Sequence, residues 1–245
     1  MRYRELDPAS IVDTALALQQ RITERFPDSG LSRVSEELLA VSREAATRTS
    51  YIASPIWPVR IAVSVAVAAI VVLVVLSVLT LRVSTRVGGI SELLQGIDAA
   101  VNDVIFIGIA IFFLVSIEGR LKRRHALRAL HELRSLAHII DMHQLTKDPE
   151  QVLSPGMPAT ASSPERTMTR FELARYLDYC SELLSVTSNL AALHVQRLND
   201  PVVLGAVSDI QSLVVGLSGK IWQKIMILDA VSASESGDRV RAGNE

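Results

Sequence analysis

Between Arg60 and Arg82 the chain runs from Ile61 to Leu81 without one charged side chain. A helix rising ~1.5 Å per residue covers ~31 Å over that length, about the thickness of a bilayer's hydrocarbon core. Ser64, Ser77 and Thr80 are the only hydroxyl residues inside it, and each can bond back to its own helix backbone. The segment therefore predicts a membrane-spanning helix over about 60–82, on an integral membrane protein. The approach Ser54-Pro55-Ile56-Trp57-Pro58 sets an indole where an amphipathic ring suits the headgroup layer. The first 56 residues are polar and charged, and the apolar run is longer than a signal-peptide core, so no secretory signal is expected here.

A second apolar block, Val104–Ile117, is short for a span and is followed at once by Glu118 and a basic cluster. Ile90, Leu93, Leu94, Ile97 and Val101 form a helical stripe leading into it, which predicts a second span over 98–118 and an outer loop over 83–97. Asp98, Asn102 and Asp103 then fall near its outer end, within reach of water. A soluble core helix has a similar apolar length, but the neighbouring first span favours a transmembrane hairpin over 57–119. Ala62, Ala66, Ala69 and Gly108 supply small residues for close packing between the two spans. Arg120, Lys122, Arg123, Arg124 and Arg128 outnumber Arg82 and Arg86, which places the end of the second span and both termini in the cytoplasm.

The flanking sequence reads as helical. Asp7-Pro8 is a start signal, and Ile11, Ala15, Leu18, Ile22 and Phe26 recur at helical spacing. Pro27-Asp28-Ser29-Gly30 interrupts them before Val34, Leu38, Val41 and Ala45 begin another stripe, so 1–56 predicts amphipathic cytoplasmic helices. Over 120–148 a juxtamembrane basic helix carries Ala126, Leu130, Leu133, Ala137 and Ile140 at seam spacing. Prolines with Ser, Ala and Thr make 149–166 a linker.

Thr169 and Glu172 have capping-box spacing. Behind them Leu173, Leu177, Cys180, Leu184, Thr187, Ala191, His194 and Leu198 alternate by four and three. Asp200-Pro201 then starts a helix with the matching stripe Val203, Val207, Ile210, Val214, Leu217, Ile221, Ile225 and Leu228. Two matched seams across a tight turn predict an antiparallel helical hairpin over 167–231, followed by a disordered tail over 232–245. The fold class is all-α: a two-span transmembrane hairpin with a cytoplasmic helical region that includes this C-terminal hairpin.

Few residues offer chemistry. His131, His138 and Asp141 share a helix face and could form one edge of a metal site, yet Arg134 stands among them and His143 turns away. His131-Glu132 opens like the zinc-protease pattern, but Ser135 occupies the place of its second histidine. His194 is a seam histidine, read as a packed side chain. Gly216-Leu217-Ser218-Gly219-Lys220 ends like a phosphate loop but lacks the first glycine and the closing Ser or Thr, and lies mid-helix. Its glycines suit close approach of another helix. Cys180 is the single cysteine, so no internal disulfide forms. A net charge of −1 gives no argument for nucleic acid.

The sequence thus predicts a multi-pass protein of the inner or plasma membrane that anchors a helical interaction module, without cofactor or catalysis. The bilayer is one partner, with Arg120, Lys122, Arg123, Arg124 and Arg128 as headgroup contacts. Self-association or a protein partner through the seams is the other, with Leu184, His194, Val207, Val214 and Leu217 as contact residues. The alternatives are a small oligomeric channel or membrane-perturbing effector and, more remotely, a metal-dependent membrane enzyme.

Overall fold

Asp7 accepts a hydrogen bond from the Ser10 N–H at 3.2 Å, and Pro8 fills the first helical position of α1, Pro8–Arg25. A short turn follows, in which Asp28 takes the left-handed φ of 57° that Asp tolerates better than most residues. Ser29 Oγ then accepts from the Ser32 N–H and opens α2, Gly30–Ala53. Trp57–Leu81 is α3 and Ile90–Leu145 is α4. The capping box closes as its spacing predicts: Glu172 N–H donates to Thr169 Oγ1 while the Glu172 carboxylate accepts from the Thr169 N–H. It starts α5, Arg170–Arg197. Asp200 Oδ1 takes the N–H groups of Val202 and Val203 and starts α6, Pro201–Ala242.

The computed structural model describes residues 5–81, 90–147, 149 and 168–242, and among these there is no strand. The chain is all-helical. Two helices run past the bounds read for the second span and the C-terminal hairpin. α4 begins at Ile90, inside the stretch read as outer loop, and α6 continues past Val231 to Ala242, into the stretch read as a disordered tail. Extending an existing helix closes one hydrogen bond per residue fixed, whereas only nucleation is costly, and no proline stands in either extension. The remainder of that loop and the linker, Pro149 apart, lie outside the described residues.

The chain divides into two compact units, Ser54–Arg124 and a second formed by Met1–Ala53 with His125–Glu245. In the first, large apolar side chains face outward all around: Ile61, Val65, Leu73 and Leu76 on α3, and Val104, Phe106, Phe112 and Val115 on α4. So much contiguous exposed apolar surface does not suit a soluble monomer, and a helix that is apolar on every side suits hydrocarbon. Among the described residues three helical stretches are long and apolar enough to cross a membrane, within Trp57–Leu76, Val101–Leu145 and Pro201–Ala230.

The second unit is built around α5. One of its faces is the expected seam, from Leu173 through Leu177, Cys180, Leu184, Thr187 and Ala191 to His194, all buried. A second, adjacent face, about 100° round the helix, is buried as well, through Tyr176, Tyr179, Leu183, Val186, Leu190 and Leu193. The Phe26 ring meets Tyr176 and Tyr179 edge-on, at 5.4 and 6.3 Å between centroids, so this second face receives α1. Both α1 and α2 pack on α5, and α6 runs along it, burying Val203, Val207, Ile210, Val214 and Leu217. Leu130, Leu133, Ala137 and Ile140 of α4 complete the same core. Lys224 on α6 donates to the carbonyls of Gln144 and Lys147 at 2.8 and 3.1 Å, tying α6 to the end of α4.

Candidate functional site

The most developed polar arrangement in the first unit surrounds Glu118. Residues Ile56 to Arg60 open α3, and Glu118 ends the apolar stretch of α4. Its carboxylate accepts from the Arg60 Nε at 2.8 Å, from the Ile56 N–H at 3.3 Å and from the Lys122 ammonium at 3.0 Å. Its position at the N-terminus of α3 also sets the negative charge where the helix macrodipole is positive. Glu118 is thus a cap supplied to α3 by α4. Val59, Arg60, Val63, Ser64, Val115 and Glu118 line a groove of about 300 Å³ beside it.

The expected headgroup contacts divide in consequence. Lys122, with only 13% of its side chain exposed, is committed to Glu118. Arg120 is exposed and stands 4.7 Å over the Phe113 ring, so its stem and plane cover apolar surface while its charge stays accessible. Arg124 and Arg128 are exposed, and Arg123 is half-buried. Arg60, read in the sequence only as the bracket of the first span, joins the cluster through a contact across 58 positions. Its signal was present. Two antiparallel helices bring the start of the first beside the end of the second.

The seam residues lie inside the second unit. Leu184, His194, Val207, Val214 and Leu217 are all buried by packing within this chain. Apolar side chains left facing outward on α6 include Leu204, Val215, Trp222, Met226 and Ile227. Gly205, Gly216 and Gly219 have open space where a Cβ would stand. The phosphate-loop look-alike is therefore a turn of α6, with Gly216, Gly219 and Lys220 outward and Leu217 in the core, rather than a loop between a strand and a helix. Cys180 is enclosed, and burial pushes its thiol up to about 12, which leaves it without the thiolate that reactivity needs.

His131 and His138 are exposed on α4, and Asp141 accepts from the Gln144 amide at 2.7 Å. Among the described residues no three His, Cys, Asp or Glu side chains gather as a metal set. His143 is placed differently, with its ring against Gly30 at the start of α2, where a Cβ would overlap it. Burial, then the charges of Arg33 and Lys147, lower its pKa below the ordinary 6.5. The folded chain therefore binds this proton less readily than the unfolded one. The stability that the neutral ring contributes is present above pH ~6.5 and is lost as pH falls through the lowered folded value. Denaturation midpoints of the purified protein are expected to drop between pH 7.5 and 5.5. The drop should be smaller in His143→Gln, and an equal drop in both proteins would remove His143 as its source.

On the surface between α1 and α5, Arg21, Glu24, Arg25, Glu172, Arg175 and Tyr179 line a shallow groove. Its cations are held by neighbours: Arg21 pairs with Glu182 at 2.6 Å and Arg175 with Asp178 at 2.7 Å, and both guanidiniums lie over Tyr179. Mixed signs and mutual pairing make this a network that fastens α1 to α5. Comparison with protein families, with curated proteins and with solved structures finds no match for this chain.

Proposed function

We propose that this protein is a membrane-anchored, non-catalytic interaction module. In this reading α3 and the apolar part of α4 cross the membrane as a two-span hairpin, and both termini lie in the cytoplasm. The observation that carries it is the double use of α4. Along one helix, outward Val104, Phe106, Phe112 and Val115 give way to the buried stripe Leu130, Leu133, Ala137 and Ile140. One stretch suits lipid and the next serves a folded helical core. The third apolar helix, α6, belongs with the core: it buries Val203, Val207, Ile210, Val214, Leu217, Ile221 and Leu228 there and carries Asp209, Lys220, Lys224 and Asp229. The most apolar stretches of α3 and α4, by contrast, contain no buried residue among those described.

Reporter fusions after Ser50 and after Lys147 are expected to read cytoplasmic, and one at Gly89 to read outside. An outside signal at Lys147 would reverse the orientation, and a cytoplasmic signal at Gly89 would remove the hairpin.

Association with a second copy or a protein partner is the proposed activity. The seams are occupied within the chain, so it rests on outward apolar side chains such as Trp222, Met226 and Ile227. Affinity purification of the full chain in mild detergent, followed by mass analysis, should return an oligomer or a stoichiometric partner. A channel is the second reading, favoured by Asp98, Asn102 and Asp103, which are exposed where the apolar stretch of α4 begins. A partner-free preparation that carries cation current in planar bilayers, lost in Asp103→Asn, would replace the first reading with the second.

A further inference from the structure

We propose that the groove between the start of α3 and residues 115–118 of α4 holds one anionic phospholipid. Its phosphate would lie on Arg60 and one acyl chain along Val59, Val63 and Val115. The assignment rests on the membrane reading above and adds a built site to it.

The groove has two chemistries. Val59, Val63 and Val115 make an apolar wall, and Arg60, Ser64 and Glu118 make a polar one. Both oxygens of Glu118 are already engaged, Oε1 by Lys122 and the Ile56 N–H and Oε2 by Arg60. A further cation gains little there. Arg60 is different. A guanidinium has five N–H donors, and among the described residues only the Arg60 Nε is engaged, with 55% of the side chain exposed. Arg60 and Lys122 set two positive charges against the single carboxylate, so an anion balances the cluster. Its terminal nitrogens suit a phosphate, which guanidinium recognises with paired hydrogen bonds. The Ser64 hydroxyl, one turn further into the span, lines the same groove as a donor for a glycerol-ester oxygen.

The valine wall selects the source of that phosphate. It extends toward the charge-free run of α3, where inorganic phosphate has nothing to contact and an acyl chain has a continuous apolar path. The headgroup preference follows from charge. A zwitterionic lipid brings a quaternary ammonium whose natural counter-ion, Glu118, is already covered. A net-negative lipid such as phosphatidylglycerol brings none.

Native mass spectrometry of the full-length protein in mild detergent tests this, with phosphatidylglycerol, phosphatidylcholine and inorganic phosphate titrated separately. The wild type should retain one phosphatidylglycerol in preference to phosphatidylcholine and should show no phosphate adduct. Arg60→Gln should weaken that retention about five-fold, the effect of one basic residue near an anionic headgroup. Val63→Trp fills the groove and should reduce retention to background, while Val65→Trp, at nearly the same depth but outside the groove, should leave it unchanged. If Val63→Trp fails to reach the membrane, Val115→Trp fills the groove from α4.

Equal retention in the groove-filling and Val65→Trp variants would mean ordinary annular lipid and would overturn the site. So would a phosphate adduct lost with Arg60→Gln. Resistance of the wild type to carbonate extraction is read separately. Release by carbonate sinks the membrane anchor, whereas resistance without phosphatidylglycerol preference sinks only the groove.

Discussion

Leu184→Asp is expected to abolish cooperative folding of the unit formed by Met1–Ala53 and His125–Glu245. Leu184 is fully enclosed at 0% exposure, in the middle of the helix that the others pack around. Truncation to Ala would already cost about 2–5 kcal/mol through lost contacts and the cavity left behind. A carboxylate adds the penalty of an unpaired buried charge, several kcal/mol more, against a usual total stability of about 5–15 kcal/mol. Ser185, the next residue, is exposed, so Ser185→Asp should melt like the wild type. Thermal melts followed by circular dichroism, with limited proteolysis, would separate the two. A Leu184→Asp protein with the wild-type transition would remove α5 from the centre of the core.

The same helix shows how far the sequence could be read. The face from Leu173 to His194 was legible because its apolar positions alternate by four and three and match a second stripe across a capped turn. The face through Tyr176, Leu183, Leu190 and Leu193 was not. The two stripes are adjacent on one helix, and Glu182, Ser185 and Asn189 on the remaining side supply enough polarity for a single amphipathic reading. A helix packed on two sides needs partners on two sides, and α1 lies far away in the chain, so no local pattern announces it. The contacts of α1 and α2 with α5 are also why the terminal residues 1–53 and the C-terminal hairpin form one unit rather than separate modules.

Caps were read accurately for a related reason. Asp7, Thr169 and Asp200 each act within three residues of themselves, and such short-range chemistry is written directly in the sequence. Glu118 required the opposite kind of information. Beside Arg120 and Lys122 it reads as one member of a mixed charged cluster, and only the approach of α3 turns it into a cap. The consequence for the basic flank is specific. Lys122 holds Glu118, and Arg60 takes its place among the accessible cations.

A matched pair of substitutions should produce opposite results in the two kinds of apolar helix. In α3, Leu73→Asp with Leu76→Asp places two carboxylates in the stretch Val71–Leu76, whose side chains are all exposed. Each is expected to cost about 2.5–3.5 kcal/mol at the centre of a span, enough together to prevent insertion of the first helix. The protein should then be released by carbonate extraction or lost to proteolysis. In α6, Val215→Asp changes a residue that is 72% exposed on the outer side of a helix whose inner side fills the core. If α6 belongs to the core, that carboxylate stays in water, and stability should change by no more than about 0.5 kcal/mol with membrane association intact. A third span would make Val215→Asp as damaging as a single substitution in α3. The contrast therefore decides between two crossings and three, because apolar length alone cannot separate a helix sheathed in lipid from one seated against its own chain.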